Sequence, residues 1–240
     1  MTKVKDVNFF KILISTLFPN VCAGCKAIID EGEYFCDYCF EMLECCNSDK
    51  ICRKCGLPKK NCDCGKYVFH FDGFAAPFFN SGPAKKAMYE LKFMHKEQYA
   101  VFFAEQMALM IRQCFSDNEF DYITYVPMSK FKQLRRGCNQ SLILAKELAD
   151  ILNIPLGRDF LKCNSKKKTQ HFLSKADRFQ NIKGKYICDL SLQGKRILLV
   201  DDIKTTGATL DECSKELFIS GADSVYCVSG LVTKNRKKKG

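Results

Sequence analysis

Residues 198–210 have the sequence LLVDDIKTTGATL. The apolar run that begins at Arg196 and reaches Val200 is typical of a strand buried on both faces of a parallel sheet. A helical pattern begins at about Gly207, and Gly221 follows it where a glycine commonly ends a helix. We therefore expect a strand, a short loop and a helix, an order that favours an α/β fold.

This loop has the composition of a site for a phosphorylated ribose. Ligands of open parallel sheets bind beyond the carboxyl ends of the strands, where a helix N-terminus offers unpaired N–H groups to a phosphate. Two adjacent carboxylates can accept hydrogen bonds from ribose hydroxyls, whereas a simple helix cap would explain only one such residue. The predicted catalytic residues are Asp201 and Asp202, and the predicted ligand-binding residues of the loop are Lys204, Thr205, Thr206, Gly207, Ala208 and Thr209.

The rest of the chain alternates helical and strand patterns. Helices are predicted over residues 99–115 and 141–152, and strands over residues 121–126, 160–163 and 224–232. This alternation predicts a mostly parallel sheet covered by helices. Composition divides the 240 residues into an N-terminal helix and cysteine-rich module at 1–66, an α/β domain at 67–233 and a basic tail at 234–240.

The chain has 16 cysteines, and most of them are grouped between Cys22 and Cys64. Grouped cysteines without a secretory signal favour metal binding over disulfides. Four-cysteine sites have no open position, so we expect one or two structural zinc ions. The predicted ligands are Cys22, Cys25, Cys36, Cys39, Cys52, Cys55, Cys62 and Cys64. Two alternatives stay open at this point: an interleaved pairing of 22/25 with 52/55, and replacement of a ligand in the second group by Cys45 or Cys46.

The formal net charge is +11. Two zinc sites of four thiolates, each of net charge about −2, would lower it to about +7. A basic chain suits a polyanionic partner or a phosphate-rich ligand. The apolar stretch at residues 9–18 is shorter than the roughly 20 residues that span a bilayer. We therefore expect it to form an amphipathic helix, and we expect a cytoplasmic protein without a membrane span.

Four stretches together resemble one known family. They are the cysteine groups, VPMSKFKQLRRGCNQ at 126–140, KKKTQHFLSKADRFQNIKGKY at 166–186, and the loop at 198–210. The loop is similar to the phosphoribosyl-pyrophosphate loop of type I phosphoribosyltransferases. The whole chain resembles the ComF family of competence proteins. The resemblance implies a parallel-sheet phosphoribosyltransferase-like domain preceded by a small zinc module.

The resemblance also implies further ligand contacts. The loop after the first core strand would meet the pyrophosphate, and arginine suits that task because its guanidinium can bind two phosphate oxygens. Mg²⁺ would accompany phosphoribosyl pyrophosphate. A segment around 169–181 resembles a flexible part of the family. Thr205 stands where 6-oxopurine salvage enzymes have an aspartate, which disfavours that chemistry. The residues implied for the pyrophosphate are Pro127, Met128, Ser129, Arg135 and Arg136.

Two functions remain in competition. The first is a phosphoribosyltransferase that takes phosphoribosyl pyrophosphate or another phosphoribosyl ligand, acts in DNA uptake and has an acceptor that these residues do not identify. The second is a non-catalytic adaptor that binds single-stranded DNA and a helicase-like competence partner. The intact Asp201–Asp202 pair favours retained binding of the phosphoribosyl ligand, because a DNA adaptor has no need of ribose-binding carboxylates.

Overall fold

The computed structural model describes residues 19–47, 49–62, 64–65, 67–94, 96–164 and 182–234. A five-stranded sheet lies at its centre, and a short antiparallel pair lies outside that sheet. The strands of the central sheet are β1 (Gly73–Ala75), β2 (Phe78–Phe79), β3 (Tyr122–Tyr125), β6 (Arg196–Lys204) and β7 (Ser224–Val232), and the separate pair is β4 (Lys162–Cys163) with β5 (Tyr186–Ile187).

Helices connect and cover these strands. Helices α3 (Gln98–Cys114) and α5 (Gln140–Leu152) pack on each other, and α5 and α6 (Ala208–Ile219) both contact β6. A single turn of 3₁₀ helix, Lys59–Asn61, lies in the cysteine-rich region. The helices are α1 (Asp37–Glu41), α2 (Gly82–Phe93), α3 (Gln98–Cys114), α4 (Lys130–Arg136), α5 (Gln140–Leu152) and α6 (Ala208–Ile219).

The central sheet is parallel throughout. Its strand order is β1-β7-β6-β3, and β2 continues beside β7 after β1 has ended. Residues 197–200 at the centre of β6 are fully buried, which explains why this strand is a continuous apolar run in the sequence. The predicted fold class, a parallel α/β sheet preceded by a cysteine-rich module, is confirmed.

Strand β6 is longer than the sequence predicted. The apolar run ends at Val200, but the strand continues to Lys204 because β7 extends beside it and supplies pairing partners as far as Val232. The carboxylate pair therefore lies within the end of the strand, and the loop before α6 shortens to residues 205–207. Gly221 ends α6 as expected, with φ of 97° and the hydrogen bond from its N–H to Phe218 that such an end uses.

The predicted strand at 160–163 is only partly correct. Its last two residues form β4, which pairs with β5 instead of joining the central sheet. The position beside β3 is taken by residues 155–157, where Ile123 N–H donates to the carbonyl of Pro155 at 2.9 Å.

Aromatic rings join the cysteine-rich region to the α/β core. The ring of Phe102, on α3, lies 5.2 Å from that of Phe35 and 5.6 Å from that of Phe78, measured between ring centroids. Phe35 belongs to the cysteine-rich region and Phe78 to β2, and both are buried in one continuous hydrophobic cluster. The two regions therefore share a core.

The apolar stretch predicted as a helix at residues 9–18 lies outside the described residues. Within the described ranges, every helix is too short or too polar to cross a bilayer.

Candidate ligand cleft and zinc clusters

A cleft of about 200 Å³ lies where the carboxyl ends of β3 and β6 meet. This is the edge of a parallel sheet at which ligands commonly bind. One wall is formed by the residues that follow β3, and the opposite wall by the end of β6 and the start of α6. The lining residues are Val126, Pro127, Met128, Ser129, Lys132, Arg136, Asn139, Ser141, Cys163, Lys185, Tyr186, Asp201, Asp202, Ile203 and Thr209.

Asp201 lies at the buried end of this cleft and is 8% exposed. Its Oδ1 accepts a hydrogen bond of 3.0 Å from Ser141 Oγ, on the first turn of α5. Burial raises the pKa of the Asp201 carboxyl to about 7, and the neighbouring charge of Asp202 adds to that rise. Asp201 is therefore a carboxyl group whose charge changes near neutral pH.

Asp202 has a different partner. Its Oδ2 lies 2.7 Å from Lys92 Nζ, at the last turn of α2, and the two side chains are 15% and 14% exposed. Successive side chains of a strand point in opposite directions, which explains why the two adjacent carboxylates contact different helices. The pair thus presents one charge-compensated carboxylate and one buried, titratable carboxyl to the same cleft.

Cationic side chains line the same cleft as these carboxylates. Burial lowers the pKa of Lys132, and the positive charges of Lys185 and Arg136 lower it further. The guanidinium of Arg136 lies 5.5 Å from the centre of the Phe93 ring, and its buried Nε has no hydrogen-bond partner among the described residues. A cluster of like charges with an unpaired buried N–H is suited to an anionic ligand.

Asn139 fixes the geometry between the two walls. Its side-chain Nδ2 donates to the carbonyl of Val126 at 3.1 Å, and its Oδ1 accepts from the backbone N–H of Ser141 at 3.1 Å. The second contact is a side-chain cap of α5. Asn139 therefore joins the end of β3 to the helix that holds Asp201.

The structure brings five of the eleven predicted ligand-binding residues to the lining of the cleft. Pro127, Met128 and Ser129 line it directly, and both carboxylates do so as well. Of the two predicted arginines, Arg136 lines the cleft and Arg135 is exposed outside its lining.

The TTGAT loop meets the cleft through Thr209, at the start of α6. Thr205 is exposed, and Thr206 Oγ1 accepts from the backbone N–H of Ala208 at 3.4 Å. Gly207 precedes the helix with φ of 87°, a conformation that favours glycine.

Lys204, which the sequence predicted to bind the ligand, is not among the residues that line the cleft. Its side chain is buried on the far side of the loop, and its Nζ donates to the carbonyl of Cys55 at 2.9 Å. The reason is the extension of β6, which places residue 204 inside the sheet and not in the loop.

The cysteines form two separate clusters of four. Within each cluster all ligand atoms lie within 4.8 Å of one another. The Sγ–Sγ distances of Cys25–Cys36, Cys52–Cys64 and Cys55–Cys62 are 3.7, 3.6 and 3.7 Å. A tetrahedral site with Zn–S bonds of about 2.3 Å places its sulfurs about 3.8 Å apart, so both clusters fit zinc. The clusters are Cys22, Cys25, Cys36 and Cys39, and Cys52, Cys55, Cys62 and Cys64.

This grouping decides between the alternatives left open by the spacing. The ligands are consecutive along the chain, so the interleaved pairing is wrong, and Cys45 and Cys46 belong to neither described cluster. Backbone N–H groups support the sulfurs, as in the 3.3 Å contact from Gly24 to Cys22. Burial raises the pKa of the Cys22 thiol, but backbone N–H groups of Cys36, Cys25 and Gly24 outweigh burial and lower the pKa to about 6.

Comparison with known proteins agrees with this arrangement. Residues 13–68 match the model of the double zinc ribbon domain. The chain is 27% identical over 217 residues to the DNA utilization protein YhgH of Escherichia coli K12, covering 86% of this chain and 94% of the relative. It is 28% identical to Competence protein F of Haemophilus influenzae, covering 86% of this chain and 87% of the relative. The chain is a homologue of these two proteins.

The resemblance to the ComF family is thus confirmed. Competence protein ComFC of Bacillus subtilis is 30% identical, over 57% of this chain and 54% of that protein. Among solved structures, a glutamine phosphoribosylpyrophosphate amidotransferase from B. subtilis aligns with a TM-score of 0.39 and 22% identity, covering 59% of this chain and 30% of that one. An adenine phosphoribosyltransferase aligns with a TM-score of 0.37 and 14% identity, covering 60% and 74%.

Sequence reasoning missed several residues of the cleft. Lys92 and Ser141 contact the carboxylate pair, and Lys132 and Lys185 add positive charge. Lys92 precedes the pair by 110 positions, and no local pattern distinguishes it from other lysines of a helical surface. Ser141 carried a usable signal, since it follows Asn139 at the predicted start of a helix. The segment around 169–181, which resembles a flexible part of the family, lies outside the described residues.

Proposed function

We propose that this protein binds phosphoribosyl pyrophosphate with Mg²⁺ in the cleft between β3 and β6, and that it acts in DNA uptake. One observation carries the first part of the proposal: the carboxylate pair Asp201–Asp202 and the cations Lys132, Arg136 and Lys185 line the same cleft. Carboxylates suit ribose hydroxyls, and clustered cations suit a pyrophosphate. The competence and DNA-utilization relatives support the second part.

Different residues of the cleft are assigned to different groups of the ligand. We assign the 5-phosphate to the start of α6, where Thr209 and the backbone N–H groups of the first helical turn lie. We assign the pyrophosphate to residues 127–129 with Arg136, whose buried Nε has no partner among the described residues. Asp201 and Asp202 would accept hydrogen bonds from the ribose hydroxyls.

The carboxylate oxygens also suit Mg²⁺, which prefers oxygen ligands and is commonly held by one or two carboxylates together with phosphates. When bound, Mg²⁺ would offset the charge of the pyrophosphate. Asp201 and Asp202 are the residues of this chain that would hold it. We expect the protein to act in the cytoplasm, where reducing conditions keep the clustered thiols available for zinc.

Thermal stabilisation by defined ligands tests the proposal. Phosphoribosyl pyrophosphate with Mg²⁺ should raise the Tm of the wild type by several degrees, and ribose 5-phosphate or pyrophosphate alone should raise it less. The isosteric variant Asp201→Asn/Asp202→Asn should lose the ligand-induced shift. A matched control, Asp117→Ala/Glu119→Ala, removes two surface carboxylates away from the cleft and should keep it. Absence of any shift in the wild type would refute ligand binding.

A second candidate function, binding of single-stranded DNA, is supported by a second groove, which is lined mainly by residues of the cysteine-rich region. The groove has a volume of about 740 Å³ and lies between the second zinc cluster and the end of the sheet. Four lysines line it, together with one carboxylate, that of Asp49, and the two uncharged amides Asn47 and Asn61. These cations suit nucleic-acid phosphates. The lysines are Lys50, Lys59, Lys60 and Lys234.

Fluorescence anisotropy with an oligo(dT) strand tests this candidate. If lysines contact phosphates, the dissociation constant should rise steeply with salt, and Lys59→Ala/Lys60→Ala should reduce the log–log salt slope by about two. The control Lys146→Ala/Arg158→Ala removes the same charge from exposed positions outside the groove and should leave the slope unchanged. An affinity that does not respond to salt would contradict phosphate contacts. The helicase-like partner stays a prediction.

A further inference from the structure

The loop that precedes α6 is attached to the second zinc cluster, which holds Cys52, Cys55, Cys62 and Cys64. The attachment is Lys204, the last residue of β6 and the immediate neighbour of the TTGAT run. Its side chain is 3% exposed. Its Nζ donates to the carbonyl of Cys55 at 2.9 Å, which is the backbone of a zinc ligand.

The surroundings of Lys204 hold it in this position. Its Nζ lies 5.3 Å from the centre of the Phe69 ring and 5.1 Å from that of Phe74, so two aromatic rings lie beside the ammonium group that binds the Cys55 carbonyl. Displacement of the Cys55 carbonyl would cost the buried ammonium group this hydrogen bond, which is unfavourable. The position of the Cys55 carbonyl therefore influences the position of the lysine.

That carbonyl belongs to a tight turn shaped by the cluster. Gly56 N–H donates to the carbonyl of Cys52 at 2.7 Å, and Cys52 N–H donates to the carbonyl of Leu57 at 2.8 Å. Gly56 has φ of 69°, and a Cβ there would lie 2.2 Å from the Phe74 ring. Zinc bonds to Cys52 and Cys55 would fix both ends of this turn, and with them the direction of the carbonyl.

On its other side, Lys204 contacts the phosphate loop. A Cβ at Gly207 would lie 3.0 Å from Lys204 Cε and 3.0 Å from Phe69 Cε1, so the loop backbone rests directly on the lysine stem and the ring. His70, next to Phe69, donates its backbone N–H to Asp211 Oδ1 at 2.7 Å, in the first turn of α6. Phe69 and His70, which follow the second cluster in sequence, thus contact both the loop and the start of α6.

We propose that Lys204 is a positioning residue through which the second zinc cluster holds residues 205–207 in the shape that receives the phosphoribosyl ligand. The lysine does not touch the ligand. Loss of zinc from the second cluster would release the Cys55 carbonyl, loosen the loop and weaken binding. The last step rests on the proposed function, whereas the attachment of the loop does not.

The first cluster provides a matched control. Lys86, on α2, donates from Nζ to the carbonyl of Gly24 at 2.6 Å, which is the same kind of contact to a turn between zinc ligands. Lys86→Met and Lys204→Met each remove one ammonium group from one zinc turn. Only the second change lies next to the phosphate loop.

Hydrogen exchange of the ligand-free, zinc-loaded protein is the first measurement. Lys204→Met should accelerate exchange of the amides at 205–210 roughly tenfold while two zinc ions are retained, because a charged hydrogen bond is lost. Lys86→Met should leave those amides unchanged. Equal exchange in Lys204→Met and the wild type would overturn the proposal, whether or not the protein binds a phosphoribosyl ligand.

Calorimetric titration with phosphoribosyl pyrophosphate and Mg²⁺ is the second measurement. The Kd of Lys204→Met should be about tenfold higher than that of the wild type, and the Kd of Lys86→Met should be within about twofold. If the wild type fails to bind, the proposed function fails and the exchange data still decide the attachment. Faster exchange with an unchanged Kd would overturn the role of Lys204 in ligand binding.

A second pair of variants covers the case in which Lys204→Met does not fold. Cys25 and Cys62 are exposed ligands, one in each cluster. Cys62→Ser should accelerate exchange at 205–210, and Cys25→Ser should leave it unchanged. Acceleration of the same size in both variants would overturn a specific connection from the second cluster.

Discussion

Lys92 Nζ lies 2.7 Å from Asp202 Oδ2 and joins the last turn of α2 to the end of β6. The same turn contributes Phe93, whose ring faces the Arg136 guanidinium at 5.5 Å. One turn of helix therefore contacts an acidic residue of one wall of the cleft and a basic residue of the other. The position of α2 fixes the distance between the two walls.

Removal of Lys92 should destabilise the protein through Asp202. We expect Lys92→Met to lower the free energy of unfolding at pH 7.5 by about 1–3 kcal/mol, between the values for exposed and fully buried pairs. Lys92→Met/Asp202→Asn should recover most of this loss, because no unpaired charge remains. Urea denaturation of all four proteins measures the coupling, and additive effects would contradict it.

Asp201 should make stability depend on pH. Its pKa is about 7 in the folded protein and has the ordinary value of 3.8 when unfolded, so the folded state binds more protons between these values. The contribution of Asp201 to stability is present below about pH 4 and is lost as the pH rises towards 7. Asp201→Asn should therefore gain stability relative to the wild type between pH 5 and pH 8, measured by urea denaturation.

Asp121 is the matched control for this measurement. The backbone N–H of Arg196 lowers the pKa of Asp121, so its titration lies below the range tested. The difference between Asp121→Asn and the wild type should be flat from pH 5 to pH 8. A flat difference for Asp201→Asn as well would show that burial does not raise its pKa.

The adjacent arginines of α4 should differ in ligand binding. Arg136 lines the cleft and Arg135 does not, although both follow the same strand and have the same charge. We expect Arg136→Gln to raise the Kd for phosphoribosyl pyrophosphate with Mg²⁺ by about 10–100-fold, as for a lost charged hydrogen bond. Arg135→Gln should change it by less than about threefold. Equal losses in calorimetric titration would indicate a general effect of charge.

Zinc content should follow the grouping of the cysteines. Titration with a mercurial reagent in the presence of a zinc indicator should release two zinc ions per chain. Cys62→Ser removes a ligand and should retain only one ion. Cys45→Ser changes an equally exposed thiol outside both described clusters and should retain two. Loss of an ion from Cys45→Ser would require a different ligand set.

Local sequence patterns predicted the fold well where hydrogen bonds join residues close in sequence, or where burial of one face spaces the apolar residues periodically. The strand at 224–232 and the end of α6 at Gly221 agree with the structure. The end of β6 was predicted too early, since Asp201 and Asp202 are polar and are held in the sheet by pairing with β7, a partner about 28 residues away. The residues of β6 alone therefore do not reveal how far the strand pairs with β7.

The candidate site also has parts that the sequence predicted and parts that it did not. Spacing predicted both cysteine groups, because zinc ligands lie on short turns that the sequence displays directly. Spacing left their pairing open, and three-dimensional proximity resolved it. Lys92 and Lys185 lie at the cleft although they belong to elements far from the loop in sequence. Lys204 lies outside the cleft lining because β6 extends beyond its apolar run and includes this residue.

The rings of Phe35, Phe78 and Phe102 have a consequence for how the chain folds. These rings belong to the cysteine-rich region, the sheet and α3, and each ring is buried from water by packing against the others. Neither part can complete its apolar interior alone, so we expect the ribbons and the sheet to melt in one cooperative transition. A cut in the linker that follows the second cluster would then yield two unstable fragments, and not two autonomous domains.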